Sequence, residues 1–335
     1  MKKKKFYLIL FFLLFYLNLF ENKLLILKKK IYKFINAVDV SIIIPIYNRE
    51  KLLPLCLNSV ISQSLKNIEI ICIDDGSTDN SLEILKQFKK KDNRIIIIHQ
   101  KNQGSAIARN KGISISKGKF LAFMDSDDFY PNNSILELML NNAIQNKVLI
   151  CGGGTMNFIQ NNNSIILKKS NTYFTENKIV YYFDYQYDYY YQRFIYNRNF
   201  IKKKKLYFPN YLRYQDPPFF IKAMGLAKKF YALKNITYYY RISNKKLFYN
   251  ERRIIDIFKG IRDCLYISKS MNLYSLYYTV LNHLNSDIII NNAKNFINNE
   301  YLRTIISQII KNIDYELLKK KNLVFIKDKF YNELK

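Results

Sequence analysis

Three aspartates, Asp125, Asp127 and Asp128, stand together in FLAFMDSDDFYPNN, directly behind an apolar run. Like charges at that spacing repel, so something must offset them. Two carboxylates one residue apart at a strand end can supply oxygen ligands to a hard divalent ion, which often also holds substrate phosphates. Mn²⁺ or Mg²⁺ suits such ligands. A simpler use of Asp127 or Asp128 is to cap a helix starting near Pro131, but capping accounts for one aspartate, not three. A second acidic pair, Asp74 and Asp75, ends the run IEIICIDD and enters the turn GSTDNS. Histidine is nearly absent, with His99 and His283 alone, so His-rich metal sites and Ser/His or Cys/His triads have little material. Cys56, Cys72, Cys151 and Cys264 lie far apart without a Cys-x-x-Cys pair. Neither a zinc knuckle nor a disulfide framework is expected, and a reducing compartment fits.

The elements that must position these carboxylates repeat one unit from Val38 onward: apolar strand, polar turn, amphipathic helix. That alternation predicts an α/β fold with a parallel sheet and crossover helices. VDVSIIIPIYN reads as the first buried strand, ending at Pro45. Leu52, Leu53, Cys56, Leu57, Val60 and Ile61 then follow at helical spacing. IEIICIDD, RIIIIHQ and KFLAFMD are the next three strands. Between the last two, NQGSAIARNKGISISKG forms a helix that opens at a glycine turn and ends by Gly118. Every acidic cluster therefore falls at the carboxyl end of a strand, where open α/β sheets bind ligands, so Asp74, Asp75, Asp125, Asp127 and Asp128 are expected to line one crevice. Beyond Cys151 the pattern is less regular: a hairpin over CGGGTMNFIQNNNSIILKKS, a tyrosine-rich run from Tyr181 to Tyr191, a helix after RYQDPP, a last strand over ALKNITYYYRI, and amphipathic helices from Glu251.

The 335 residues carry 54 Lys+Arg against 26 Asp+Glu, a formal net charge of +28. Such an excess invites a nucleic-acid or anionic-membrane partner. Lysine travels here with abundant Ile, Asn, Tyr and Phe and no Trp, as A/T-rich codons would produce, and no nucleic-acid-binding module is recognisable. No nucleic-acid partner is expected. The N-terminus, MKKKKFYLILFFLLFYLNLFENK, has a basic start and an apolar run from Phe6 to Phe20 without a small-residue cleavage site. About fifteen helical residues cover roughly 22 Å, short of a hydrocarbon core of about 30 Å. Attachment to a membrane surface is favoured over spanning.

SIIIPIYNRE, CIDDGSTDNS, NQGSAIARNKGI and FLAFMDSDD, in this order and spacing, resemble the nucleotide-sugar domain of family 2 glycosyltransferases of the GT-A fold, a Rossmann-like, mostly parallel sheet flanked by helices. The resemblance covers about residues 38 to 135. It implies that Pro45, Tyr47 and Asn48 bound the base and ribose pocket, that Asp75 reaches a uracil-type base with Asp74 beside it, that Arg109 approaches the diphosphate, that Asp125 meets the ribose or metal, and that Asp127 holds the metal. Read from the residues alone, Tyr47 and Asn48 could equally form an ordinary turn, and Arg109 could lie on a solvated helix face. LRYQDPPFF resembles the family's later acidic motif, with Gln215 in place of the usual Glu, and makes Asp216 the candidate base for an acceptor hydroxyl. Asp216 before Pro217 is equally a good N-cap.

The organisation expected is a basic and apolar segment (1–37), a nucleotide-sugar-binding half (38–150), an acceptor-binding half (151–245) and a helical C-terminal extension (246–335). The function implied is metal-dependent, inverting transfer of a sugar from a nucleotide-diphosphate donor, UDP-sugar favoured, to a glycan or lipid-linked acceptor in surface-polysaccharide synthesis. The site would be cytoplasmic, at the inner face of the membrane. Nucleotidyl transfer would need a glycine-rich phosphate loop, and none is present; a basic membrane- or nucleic-acid-binding protein would leave the ordered aspartates unexplained.

Overall fold

The computed structural model describes residues 37–161, 164–170, 172–242 and 248–320. The apolar run Phe6 to Phe20, and with it the membrane-attachment expectation, lies outside the described residues. Among those residues no helix is long and apolar enough to cross a membrane.

Among the described residues nine strands form one sheet: β1 (Val40–Ile46), β2 (Ile68–Asp74), β3 (Ile95–His99), β4 (Phe120–Phe123), β5 (Ile150–Asn161), β6 (Ser164–Lys169), β7 (Lys178–Tyr181), β8 (Phe194–Asn197) and β9 (Lys229–Ile242). Their order is β3-β2-β1-β4-β8-β5-β9-β7, with β6 paired to β5 as the expected hairpin. The first four strands are parallel, β5 and β9 are parallel, and β8 lies antiparallel between β4 and β5. All seven residues of β1 and of β2 are buried, as helices on both faces of a parallel sheet require.

The helices are α1 (Leu53–Ile61), α2 (Ser81–Lys91), α3 (Ser105–Ile115), α4 (Ile135–Gln145), α5 (Tyr182–Tyr185), α6 (Arg198–Lys203), α7 (Asp216–Ala227), α8 (Glu251–Ser270), α9 (Tyr274–His283), α10 (Asp287–Lys294), α11 (Glu300–Lys311) and α12 (Tyr315–Lys320). Alternate β1 residues point to opposite faces. Ile42 and Ile44 join the core under α1 and α4, while Ile43 joins the larger core under α3, α7 and α8. At Gly112 a Cβ would stand 2.4 Å from Ile43 Cγ2, so only glycine lets α3 press this closely on the sheet. Arg109, one turn earlier, is carried inward on the same face.

Three boundaries differ from expectation. β1 runs one residue past Pro45. Ile43 O accepts from Met124 N, so Pro45, two residues on, turns its missing N–H to the side where β4 has already ended. α4 starts at Ile135 rather than near Pro131, because the Asn132 side chain accepts from Ser134 N and Oγ and makes the intervening residues a turn. Asp216 is the first residue of α7 and not its cap; Gln215 takes that place without a side-chain capping bond.

Candidate active site

The loops after β1 and β2 are tied together by side chains. Asn48, in the left-handed region at φ +51°, accepts from Thr78 N (2.8 Å) and donates to Thr78 Oγ1 (3.2 Å), and its own N–H donates to Ser77 Oγ (3.1 Å). Arg49 N–H donates to Ser81 Oγ at 2.8 Å. Asn48 is therefore more than an ordinary turn residue: it fixes the rim over which Tyr47 stands half exposed. Asp75, almost fully buried, accepts from Gln100 Nε2 and from the backbone N–H groups of Gln103 and Gly104, all at 2.8–2.9 Å, and so orders the loop that starts α3. Asp74 is fully buried; one oxygen meets His99 Nδ1 at 2.6 Å and the other has no protein partner.

The three clustered aspartates have three environments. Asp128 accepts from Tyr238 Oη and Arg241 N, both at 2.7 Å; burial, with Asp127 and Asp125 nearby, raises its pKa well above the carboxylate range. Its role is to anchor β9. Asp125 accepts from Arg109 Nη2 (2.7 Å) and Gln192 Nε2 (2.8 Å). Asp127 keeps 33% of its side chain exposed and faces Arg49 at 3.5 Å. Burial and the Asp125 charge raise its pKa, against the pull of Arg49. Arg241 donates through Nε to Asp127 O and stacks on Phe158, so it braces this turn.

Arg109 is buried, not on a solvated face. Its guanidinium lies over the Tyr191 and Phe208 rings, 5.4 and 5.3 Å from their centroids. It bonds Ser105 Oγ (3.1 Å) and joins Asp125 to Asp216 Oδ1 (3.5 Å). Burial alone would lower its pKa, but the two carboxylates reverse that and it stays charged. Asp216 retains 34% of its side-chain surface, open to the crevice. Burial pushes its pKa up to about 6, helped by Asp125 and opposed by Arg109 and Arg213. Gln215 donates to Ser105 Oγ at 3.3 Å and thus joins the same cluster.

Gln192 and Tyr238 were not singled out from sequence. Gln192 was legible only as an amide closing a run of tyrosines. In TYYYR, strand alternation puts every second ring on the Asp128 side, but periodicity does not say which. Within the tyrosine-rich run, Tyr182 and Tyr191 are core residues. All four cysteines are free and buried. Among the described residues no group of three or more His, Cys, Asp or Glu side chains is set to hold a metal. The residues nevertheless fit one kind of site: hard ions bind through one or two carboxylates when substrate phosphates and water complete the shell. Asp127 is available for that, and each Asp125 oxygen retains a second lone pair.

A family model described as glycosyl transferase family 2 matches residues 41–214. The uncharacterized glycosyltransferase EpsJ of Bacillus subtilis is 32% identical over 209 residues, which are 60% of this chain and 60% of EpsJ. Among solved structures, S. aureus TarS 1–349 in complex with UDP superposes with a TM-score of 0.60 at 20% identity, covering 80% of this chain and 83% of that one. The mannosyltransferase PcManGT of Pyrobaculum calidifontis, in complex with GDP-Man and Mn²⁺, gives 0.52 at 12% identity, covering 85% and 79%. Both structures share the GT-A arrangement of sheet and helices seen here.

Proposed function

The chain belongs to glycosyl transferase family 2, and on that premise we propose that it moves a sugar from a nucleotide-diphosphate donor to an acceptor hydroxyl with inversion. The observation that carries this is the bridge from Asp125 through Arg109 to Asp216, with Asp127 beside it at the carboxyl end of β4. One guanidinium links Asp125, on the donor side, to the Asp216 carboxylate. Asp127, with Asp125 next to it, would hold Mn²⁺ or Mg²⁺, which when bound supplies Lewis-acid stabilisation of the leaving diphosphate. Asp216 takes the proton of the acceptor hydroxyl as its oxygen bonds to the anomeric carbon and the bond to the diphosphate breaks. With a pKa of about 6, about nine in ten Asp216 side chains are ionised at pH 7. A single in-line displacement by the acceptor oxygen, with Asp216 taking its proton, inverts the anomeric centre.

The rim formed by Tyr47, Asn48 and the loops held by Asp75 would seat the nucleotide. UDP is the favoured carrier because TarS is seen with UDP; the mannosyltransferase with GDP-Man keeps guanosine in the comparison. Residues 38–150 would serve the donor and 151–245 the acceptor, a glycan or lipid-linked chain of a cell-surface polysaccharide. Residues 1–37 would hold the enzyme at the inner membrane face, where nucleotide sugars are available. The test is a panel of UDP- and GDP-sugars with and without Mn²⁺, read by thermal stabilisation and nucleoside diphosphate release. A metal-dependent response to one donor class supports the reading; no response to any member refutes it.

A further inference from the structure

The loop that carries Asp216 is held by a helix outside the residues matched to the family. On α8, Asp256, Gly260 and Asp263 fall at i, i+4 and i+7, one helix face. Each meets a different part of the loop. The Leu212 N–H donates to Asp256 Oδ2 (2.9 Å), Asp256 being buried, and Tyr211 Oη donates to Asp263 Oδ2 (2.7 Å). Gly260 lies flat against Tyr214: a Cβ there would stand 2.7 Å from both the Tyr214 ring and its carbonyl oxygen. Tyr214 itself is at φ +62°, in the left-handed region that a bulky residue rarely occupies. Its hydroxyl shares a hydrogen bond with His283 Nδ1 at the end of α9. Strain of this kind persists only where the surroundings over-determine it, and it gathers at functional sites. Two residues later the chain reaches Asp216.

We propose that the α8 face Asp256–Gly260–Asp263, with His283, is a positioning device that holds Tyr214 in its strained conformation and so sets where Asp216 meets the acceptor. This rests on Asp216 acting as the base. The C-terminal helix α8 and the end of α9 are then part of what sets the active-site geometry.

The experiment compares Gly260→Ala, Tyr214→Phe and Asp216→Asn in the full chain, with Tyr266→Ala, an exposed position on the same helix, as control. Alanine is the better helix former, so Gly260→Ala leaves α8 intact and acts through Tyr214. With the responding nucleotide sugar and Mn²⁺, the expected result is a fall in kcat of about tenfold or more, since a misplacement near 1 Å can cost a factor of about 10². Donor KM should stay within about twofold. Amide exchange over 211–216 should quicken in Gly260→Ala and Tyr214→Phe, and the control should match wild type in both readouts. Because a merely structural lesion would lower donor affinity and turnover together, a parallel fall in both overturns the proposal. So does wild-type kcat in a folded Gly260→Ala while Asp216→Asn is inactive; that pattern leaves the base assignment standing. Full activity of Asp216→Asn instead removes the base, and the positioning device with it.

Discussion

Replacing Asp216 by asparagine separates chemistry from folding, and the sign of its pKa shift says why. The folded carboxyl titrates at about 6, above the reference of about 3.9. A raised carboxyl binds protons more tightly in the folded state, so its favourable contribution is complete below about pH 4 and is lost as pH rises through about 6. At pH 7 that contribution is gone, and a neutral asparagine would replace an ionised group that burial disfavours. Asp216 occupies the first turn of α7 without capping it, so the change forfeits a helix-dipole term of a few tenths of a kcal/mol and the charge of its 3.5 Å pair with Arg109, an attraction already contained in the net upward shift. The melting temperature at pH 7 should therefore match or slightly exceed wild type. Turnover should fall by roughly 10²- to 10⁴-fold, the worth of a general base. In the wild type, kcat/KM should drop about tenfold per pH unit below about 6, so that pH 5 shows about a tenth of the plateau. The assay is initial-rate release of nucleoside diphosphate from pH 5 to 8, with donor binding measured in parallel. A wild-type rate in the Asp216→Asn variant, or a flat profile through pH 5, refutes the assignment.

Asp127→Ala should reduce transfer by about 10²-fold or more and weaken Mn²⁺ binding, yet shift stability by no more than about 0.5 kcal/mol, because the side chain is one-third exposed in the turn after β4 and its one ion pair is a loose one to Arg49. Calorimetric metal titration in the presence of UDP decides it: unchanged Mn²⁺ affinity would rule Asp127 out. Arg109→Met should cost about 3 to 5 kcal/mol in urea unfolding, since it strands Asp125 and Asp216 without their shared counter-charge; a loss below about 1 kcal/mol would contradict that role. Deleting residues 1–37 should yield a soluble chain that still turns over a water-soluble acceptor, with protease protection in vesicles reporting which side of the membrane Asp127 faces. Aggregation of the truncated chain, or an external Asp127, would overturn surface attachment at the inner face.

The sequence alone determined the parallel half of the fold and where its acidic clusters, the candidate site, fall on it. Strands such as VSIIIPI and IEIICID announce burial on both faces by being continuously apolar, and each acidic cluster follows its strand directly, so local order suffices to put Asp74, Asp75, Asp125 and Asp127 at one sheet edge. What offsets the crowded aspartates could not be read that way. Part of the compensation is Arg109, brought beneath Asp125 by the close approach of α3 at Gly112, while Asp128 escapes repulsion inside hydrogen bonds from β9, more than 100 residues away in the chain. Sequence leaves Asp216 readable as a base or as a helix cap; packing puts Gln215 at the cap and makes Asp216 an acid about one-third exposed beside Arg109. The insertion of β8 between β4 and β5 and the docking of α8 on the 211–214 loop likewise depend on pairings between distant segments. Periodicity records which face of an element is buried; only the tertiary structure decides against what, because that choice is made by long-range packing and hydrogen-bond satisfaction rather than by neighbours in sequence.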